Sequence, residues 1–402
     1  MPGPGAYWIG EEELEEVADV VRSGHLFRYG DVNDPRFRRK VLGFEELFAA
    51  YLGVRRVLAT NSGTSSLFIA LHAMGFQPGD EVIVPTFGFA ATYHAPIFAG
   101  LVPVLAEIDD SLCLDPGDIE HRITPRTKAI IPVHMLGNPC DMNAIMAIAR
   151  KYGLAVLEDA CQAVGASYRG RKVGSFGQMA AFSLNVFKTI TAGDGGALVT
   201  GDENLYERAF GLHDQGYKPG PAVPRIAADS ILGMDFRMNE LTGAVALAQL
   251  RKLDRIVAAL RQRKCKLKAL VDGVPGMRFR RLNDPEGECG TLCAVLFDRA
   301  DRADRAAAVA AALGTVTAER TGYHYHSNIE HLNRHLDCLG RPHGPRAYPR
   351  SHDILCRAIL LSVGVVDAGL GAGFGINIQS TDEEIQQVAR QFHAACQQTA
   401  AT

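Results

Sequence analysis

Lys188 stands in FSLNVFKTITAGDGGALVT, residues 182–200, where one cation precedes a run of small residues and glycines. Glycines cost conformational entropy and permit close backbone approach. The plain reading is a lysine on a surface turn between two strands; the chemical reading is an amine held where something comes close. Residues elsewhere bear on the choice. Asn61, Ser62, Gly63, Thr64 and Ser65 offer hydroxyls, a glycine and backbone N–H groups at a helix start. That is a seat for phosphate, or simply a cap. Phe87, Gly88 and Phe89 follow an apolar run, and Phe89 either fills core or stacks on a flat ring. LEDACQA brings Glu158, Asp159 and Gln162 to the end of another apolar run. Acids there are costly to bury unless paired, so one of them wants a cation or a protonated ring nitrogen. His134 ends a further apolar run, where a histidine is more often structural. Ser183 adds a hydroxyl near Lys188.

A phosphate seat, a flat-ring platform, a buried acid and a lysine are together what pyridoxal 5′-phosphate needs. The lysine holds the aldehyde as a Schiff base. The acid keeps the pyridine nitrogen protonated, so the ring acts as an electron sink. Hydroxyls and N–H groups hold the phosphate dianion.

These residues fall at the ends of periodic segments. An acidic amphipathic helix is predicted over Glu11–Ser23 and a second over Val41–Tyr51. Strands are predicted at 57–60, 81–86, 102–108, 129–136 and 154–160, with helix-like runs after 57–60, 81–86 and 129–136 and Asp141 capping the last of these. Alternation of this kind means βαβ units and a mainly parallel sheet. Ligands collect outside the carboxyl ends of such strands, which is where the polar residues lie. A long helix starts at Glu240 and could link two domains. Beyond residue 272 a strand at 290–298 and an alanine-rich helix at 301–313 suggest a smaller α+β domain. The expected division is 1–255 and 256–402. Thr321–Pro349, rich in His, Arg, Gly and Pro, reads as an irregular loop. GLGAGFG, 369–375, does not fit G-x-G-x-x-G and reads as a flexible loop rather than a nicotinamide site.

Composition excludes several classes. The 402 residues carry a net charge of −3, with 47% hydrophobic and 22% charged residues. A nucleic-acid or anionic-membrane partner has no global electrostatic support. The basic run Arg261–Lys268 reads as a solvated helix face. Nine scattered cysteines without C-x-x-C spacing make a zinc site improbable and favour a reducing, cytoplasmic setting. The N-terminus lacks the pattern of a secretory signal, and no stretch of about 18 apolar residues could span a membrane.

The sequence resembles the DegT/StrS family of sugar aminotransferases over most of its length. The motifs that carry the resemblance are NSGTSSL, PGDEVIVPTFGF, ITPRTKAIIPVHMLG, LEDACQAVGASYRGRKVGSFG, FSLNVFKTITAGDGGALVT and DFRMNELTGAVALAQLRKLD. The resemblance implies fold type I: an α/β large domain with a mainly parallel seven-stranded sheet between helices, and a smaller C-terminal α+β domain. It implies that Lys188 carries the cofactor and shuttles the proton between donor Cα and cofactor C4′. Asp159 would pair with the pyridine nitrogen, Gln162 approach the phenolic oxygen and Phe89 stack on the ring. Gly63, Thr64 and Ser183 would hold the phosphate. It also implies a homodimer with the site at the interface, the partner giving an asparagine to the phosphate from a GxNxRM-like motif. This chain has Asp235 there, in GMDFRM, and a carboxylate facing a phosphate would be repelled unless protonated or turned away, as in a salt bridge with Arg237. Asp194 replaces a glutamate of the family's GxGEGG, and Gln215 a histidine. Lysine at 188, rather than the histidine of the dehydratase branch, favours transamination.

The implied reaction moves an amino group from glutamate or glutamine to a ketosugar, nucleotide-linked or otherwise anionic. FRYG and AEIDDSLCLDP resemble a subgroup acting on eight-carbon sugars, such as an 8-oxo octulosonate or a GDP-linked keto-octose of antibiotic biosynthesis. Arg28 and Tyr29, His134, and His324 and His326 are the candidate substrate contacts, with an ordered loop as the plainer reading for YHYHSN. A cyclitol ketone, aminohydroxybenzoate-type chemistry and a non-catalytic cofactor-binding regulator are the alternatives.

Overall fold

The computed structural model describes residues 3–220, 224–364, 370 and 374–399. In chain order the strands are β1 (Arg56–Thr60), β2 (Glu81–Pro85), β3 (Val102–Ala106), β4 (Thr127–Ile130), β5 (Ala155–Asp159) and β6 (Ser167–Tyr168). They continue as β7 (Arg171–Lys172), β8 (Met179–Ser183), β9 (Gly196–Thr200), β10 (Met277–Phe279), β11 (Leu292–Phe297) and β12 (Ala358–Ser362). The α-helices are α1 (Glu11–Ser23), α2 (Lys40–Leu52), α3 (Gly63–Ala73), α4 (Ala90–Phe98), α5 (Pro116–Arg122) and α6 (Met142–Tyr152). After them come α7 (Glu203–His213), α8 (Glu240–Val271), α9 (Ala300–Val309), α10 (Glu330–Cys338), α11 (Pro349–Arg357) and α12 (Asp382–Gln398).

Seven strands form one sheet in the order β1-β9-β8-β5-β4-β2-β3. All run the same way except β9, which is antiparallel to both β8 and β1. The central strands are buried on both faces, as in β2 and β8, because helices cover the sheet on both sides. The expected α/β large domain with its seven-stranded sheet is therefore present. A three-stranded antiparallel sheet, β10-β11-β12, lies in the C-terminal part. It packs Val295, Phe297, Ile359 and Leu361 against Phe392 of α12. The long helix α8 joins both regions, packing Leu253 and Ile256 in the core around β1 and β9, and Leu267 and Val271 in the core of the small sheet.

Two expected elements are corrected. The strand predicted over 129–136 stops at Ile130: Pro132 has no N–H to give to a ladder, and Leu136 takes a left-handed backbone at φ 56°. The stretch Thr321–Pro349, read as irregular, contains α10. Its Leu332 and Leu336, one turn apart, are buried against the core that includes Tyr93 and Tyr348. Within GLGAGFG only Leu370, Phe374 and Gly375 are described, and the rest of that run lies outside the described residues.

β1 is an edge strand, and its exposed backbone groups need partners. Ala59 N–H donates to Glu45 Oε1 at 2.7 Å, and Arg28 Nη1 donates to the Ala59 carbonyl at 3.0 Å. Arg28 Nη2 in turn donates to Glu45 Oε1 at 2.8 Å. This pair closes the edge and fixes where β1 releases the chain into Asn61–Thr64.

The glycines after Lys188 also have a structural cause. Gly195 has φ 148°, and a Cβ on Gly196 would strike the Ser62 carbonyl and the Gly63 nitrogen. The start of β9 thus passes directly against the start of α3. Gly196→Ala is expected to destabilise the protein by about 1–3 kcal/mol, as overpacking does. A thermal melt of the variant unchanged from the parent would show that this contact is not close-packed.

Candidate active site

Five chain segments leave the same edge of the large sheet. They follow the carboxyl ends of β1, β2, β5 and β8 and precede the amino end of β9, which runs the opposite way. This places Ser62–Thr64, Phe89, Asp159–Gln162, Ser183–Lys188 and Asp194–Gly195 around one cavity of about 260 Å³. Of the residues singled out from sequence, Gly63, Thr64, Phe89, Asp159, Gln162, Ser183 and Lys188 all line it.

At one end of the cavity α3 begins. Ser62 caps it, accepting a hydrogen bond from Ser65 N–H at 3.0 Å. Ser65 Oγ donates to Asn61 Oδ1 at 2.6 Å, so these two side chains are occupied. The Gly63 and Thr64 backbone and the Thr64 side chain remain at the cavity. A Cβ on Gly63 would lie 2.8 Å from Ser183 Cβ and 2.9 Å from Cys161 Sγ, so only glycine lets the helix start come this near β8.

Along a strand, neighbouring side chains point to opposite faces. Asp159 turns to the cavity and Glu158 away from it. Asp159 is buried; Thr92 Oγ1 donates to its Oδ2 at 2.8 Å and Cys161 N–H to its Oδ1 at 3.2 Å. Gln162 accepts from Leu136 N–H at 3.1 Å through Oε1, and its buried Nε2 has no protein partner. Lys188 ends a turn in which its own N–H donates to the Asn185 carbonyl at 2.9 Å. The N-terminal segment covers this turn from outside: Gly3 N–H donates to the Val186 carbonyl at 2.8 Å. Burial, then the charge of Asp159, raises the Cys161 thiol well above its ordinary range, so it is a neutral lining group near pH 7.

Among the lining residues not singled out as site residues are Asn185, Asp194, Cys161 and Phe187. Asn185 spans the mouth of the lysine turn, donating through Nδ2 to Asp194 Oδ1 at 3.0 Å. Cys161 and Phe187 complete the wall. Cys161 and Asn185 are each within three residues of a chosen site residue, and that proximity was the available signal.

The expected substrate contacts fare differently, and four of them lie away from this cavity. Arg28 is buried and belongs to the closure of β1, with His213 Nε2 3.0 Å from its Nη1. Tyr29 lines a separate cavity of about 140 Å³ with Tyr206 and Phe210. His134 is wholly buried: its Nδ1 accepts from Cys140 N–H at 3.0 Å, so its Nε2 donates to Glu158 at 3.0 Å. His326 is wholly buried too, its Nδ1 donating to the Thr86 carbonyl at 3.0 Å and its Nε2 accepting from Gly344 N–H at 3.2 Å. His324 alone approaches the cavity, its ring centroid 5.3 Å from that of Phe89. Asp235 is outside the cavity of its own chain; it is half-exposed and paired with Arg237 at 2.6 Å, while Arg237 also bonds Asp214. The expected turn toward Arg237 is what is seen.

Burial holds His326 at about 4, below the ordinary 6.5. The unfolded chain therefore binds a proton between pH 6.5 and about 4 that the folded chain refuses. Stability is full above the unfolded value and declines as pH falls through this window, by about 3 kcal/mol in total. His213, buried beside Arg28, is lowered as well and adds in the same direction. Melts at pH 7 and pH 5 are expected to differ less in His326→Gln than in the parent; an equal difference would assign the slope to other groups.

The residues fit pyridoxal phosphate. Gln162 Nε2 is a buried donor awaiting an acceptor, and Gly63 opens a cradle that a Cβ would fill. Lys188 and Asp159 bring an amine and a carboxylate to the same cavity.

Comparison with known proteins agrees with this geometry. The sequence profile of the DegT/DnrJ/EryC1/StrS aminotransferase family matches residues 8–364. GDP-perosamine synthase of Caulobacter vibrioides is 44% identical over 222 residues, 55% of this chain and 59% of that protein. The spore coat polysaccharide biosynthesis protein SpsC of Bacillus subtilis is 40% identical over 254 residues, 61% of this chain and 63% of that protein. The matched segments thus span about three fifths of the length of these curated relatives. The crystal structure of 3-amino-5-hydroxybenzoic acid synthase superposes with a TM-score of 0.79 at 28% identity, covering 97% of each chain.

Proposed function

We propose that this chain, which belongs to the DegT/DnrJ/EryC1/StrS aminotransferase family, is a pyridoxal-phosphate-dependent aminotransferase carrying an amino group from glutamate or glutamine to a ketosugar. The observation that supports it most is the convergence of Lys188, Asp159, Gln162 and the start of α3 on one cavity. When bound, the cofactor supplies an electron sink that lets an amine leave one carbon for another. This chain's residues do the rest. The Gly63 and Thr64 N–H groups, with the Thr64 and Ser183 hydroxyls, bind the phosphate at the helix N-terminus. The Asp159 carboxylate, oriented by Thr92, holds the proton on the pyridine nitrogen. Gln162 Nε2 donates to the ring oxygen, and Phe89 covers the ring face. Lys188 Nζ takes the proton from donor Cα and returns it on the acceptor side.

The proposed acceptor is a nucleotide-linked ketosugar, GDP-linked by similarity to the perosamine synthase. The octose reading rests on FRYG and AEIDDSLCLDP, and both segments have structural employment. Arg28 closes β1, and Glu107 accepts from Ser351 N–H at 2.7 Å at the start of α11. The aminohydroxybenzoate reading is kept as second, favoured by the superposition on that synthase.

The proposal includes a homodimer with the site at its interface. Ile226, Leu232 and Met234 are exposed on the segment that returns beside the cavity through the Asn61 N–H to Phe236 carbonyl bond of 2.8 Å. In that assembly Asp235, neutralised by Arg237, would approach the partner's site. A large domain over 1–255 and a small one over 256–402 complete the arrangement. Nine unbridged cysteines support a cytoplasmic setting, and among the described residues no helix is long and apolar enough to cross a membrane.

The test is the absorbance of the purified protein before and after glutamate or glutamine. The visible cofactor band is expected to bleach with the donor and to recover with a GDP-ketosugar. A band indifferent to every amino donor would favour the cofactor-binding regulator instead.

A further inference from the structure

Outside the cavity, a pair of imidazoles has a geometry of its own. His94 lies on α4 and His331 on α10, 237 residues apart in sequence, and their Nε2 atoms are 3.1 Å apart. The ring centroids are 5.0 Å apart, with the planes tilted by 48°. His94 is half-buried and His331 exposed, so the space beyond the two nitrogens is open to solvent on the α10 side.

Two nitrogens at 3.1 Å can share a proton, and they also match a chelate. With metal–nitrogen bonds of about 2.0–2.1 Å, the 3.1 Å separation corresponds to a ligand–metal–ligand angle of about 95–100°. That lies between the octahedral and tetrahedral values. Imidazole suits zinc, copper and nickel rather than calcium or magnesium. Among the described residues no group of three His, Cys, Asp or Glu converges on a metal position. Water would therefore complete the coordination, and the ion would exchange freely.

We propose that His94 and His331 form a two-imidazole site for a zinc-class divalent ion, which ties α10 to α4, the helix that follows Phe89. The position gives the ion leverage on the site. α4 begins immediately after Phe89, which lines the cavity. α10 follows the segment bearing His324, whose carbonyl accepts from Gly88 N–H at 2.9 Å. An ion bound across the two helices would restrain this wall relative to the sheet.

The experiment titrates zinc chloride into the untagged holoenzyme by calorimetry and repeats thermal melts with and without zinc. One site is expected, weakened roughly tenfold or more in His94→Gln and separately in His331→Gln. Zinc should raise the melting temperature of the parent and of neither variant. His335→Gln, one turn along α10, should keep the site. Melts without zinc show that each variant is folded. Equal zinc affinity in the parent and both variants would overturn the proposal. Equal loss in His335→Gln would overturn it too, by placing the ion elsewhere on α10.

Discussion

Lys188→Ala is expected to give a folded protein that no longer bleaches with glutamate or glutamine, its turnover reduced by at least about 10²–10⁴-fold. The fold should survive because the turn is held by its backbone. Lys188 N–H donates to the Asn185 carbonyl at 2.9 Å, and the Lys188 carbonyl accepts from Gly5 N–H at 3.4 Å. Neither bond uses the side chain. No neighbour can replace the amine. Cys161 brings a thiol to the cavity, and burial, then the charge of Asp159, keeps it protonated. Lys188→Arg keeps the charge but not a base that can be deprotonated, so it should fail equally. Circular dichroism and the donor-dependent absorbance change check this. A variant that bleaches at the parental rate would remove Lys188 from the chemistry.

Much of the site was legible because Gly63, Phe89 and Asp159 each follow an apolar run that becomes a parallel strand. Asp159 and Phe89 could be set at the same sheet edge by counting strands, without knowing their order, whereas Ser183 ends β8, where no strand was predicted. α1 was legible to the residue from its apolar periodicity, and so was the start of α8 at Glu240, which the structure shows capped by Asn239 on Thr242 N–H at 3.0 Å. What was not legible is direction. Nothing in FRYG says that Arg28 faces an edge strand; that need exists only once β1 lies outermost in the sheet. His134 lies near a strand end and His326 in a histidine-bearing loop, yet both point into the protein to satisfy backbone groups. α10 was hidden because EHLNRHLDC has only two apolar anchors, Leu332 and Leu336, among charged and polar residues. Asn185 was overlooked beside the lysine because its function depends on Asp194, nine residues away across a glycine turn.

Glu158→Ala should cost about 3–5 kcal/mol of stability, because it removes a buried carboxylate that satisfies several donors at once. The carboxylate is wholly buried and accepts four hydrogen bonds. Phe176 and Gly177 N–H donate to Oε1 at 2.6 and 2.8 Å; Gly174 N–H and His134 Nε2 donate to Oε2 at 2.7 and 3.0 Å. His134 already accepts from Cys140 through Nδ1, so its Nε2–H has no other acceptor there. Alanine would strand four donors in a region without solvent, and each unmet donor costs about 1–3 kcal/mol before relaxation. Gln at 158 should fall between the two, since its amide nitrogen would oppose donors that a carboxylate oxygen accepts. Asp159→Asn, one residue on, should do the reverse: nearly parental melting and a lost response to the amino donor. The measurement is the denaturation midpoint beside the donor-dependent absorbance change in all three variants. If Glu158→Ala melts with the parent, the turn at Gly174–Gly177 is not held by this carboxylate. If Asp159→Asn melts early yet still bleaches, the two acids have been assigned to the wrong faces of β5.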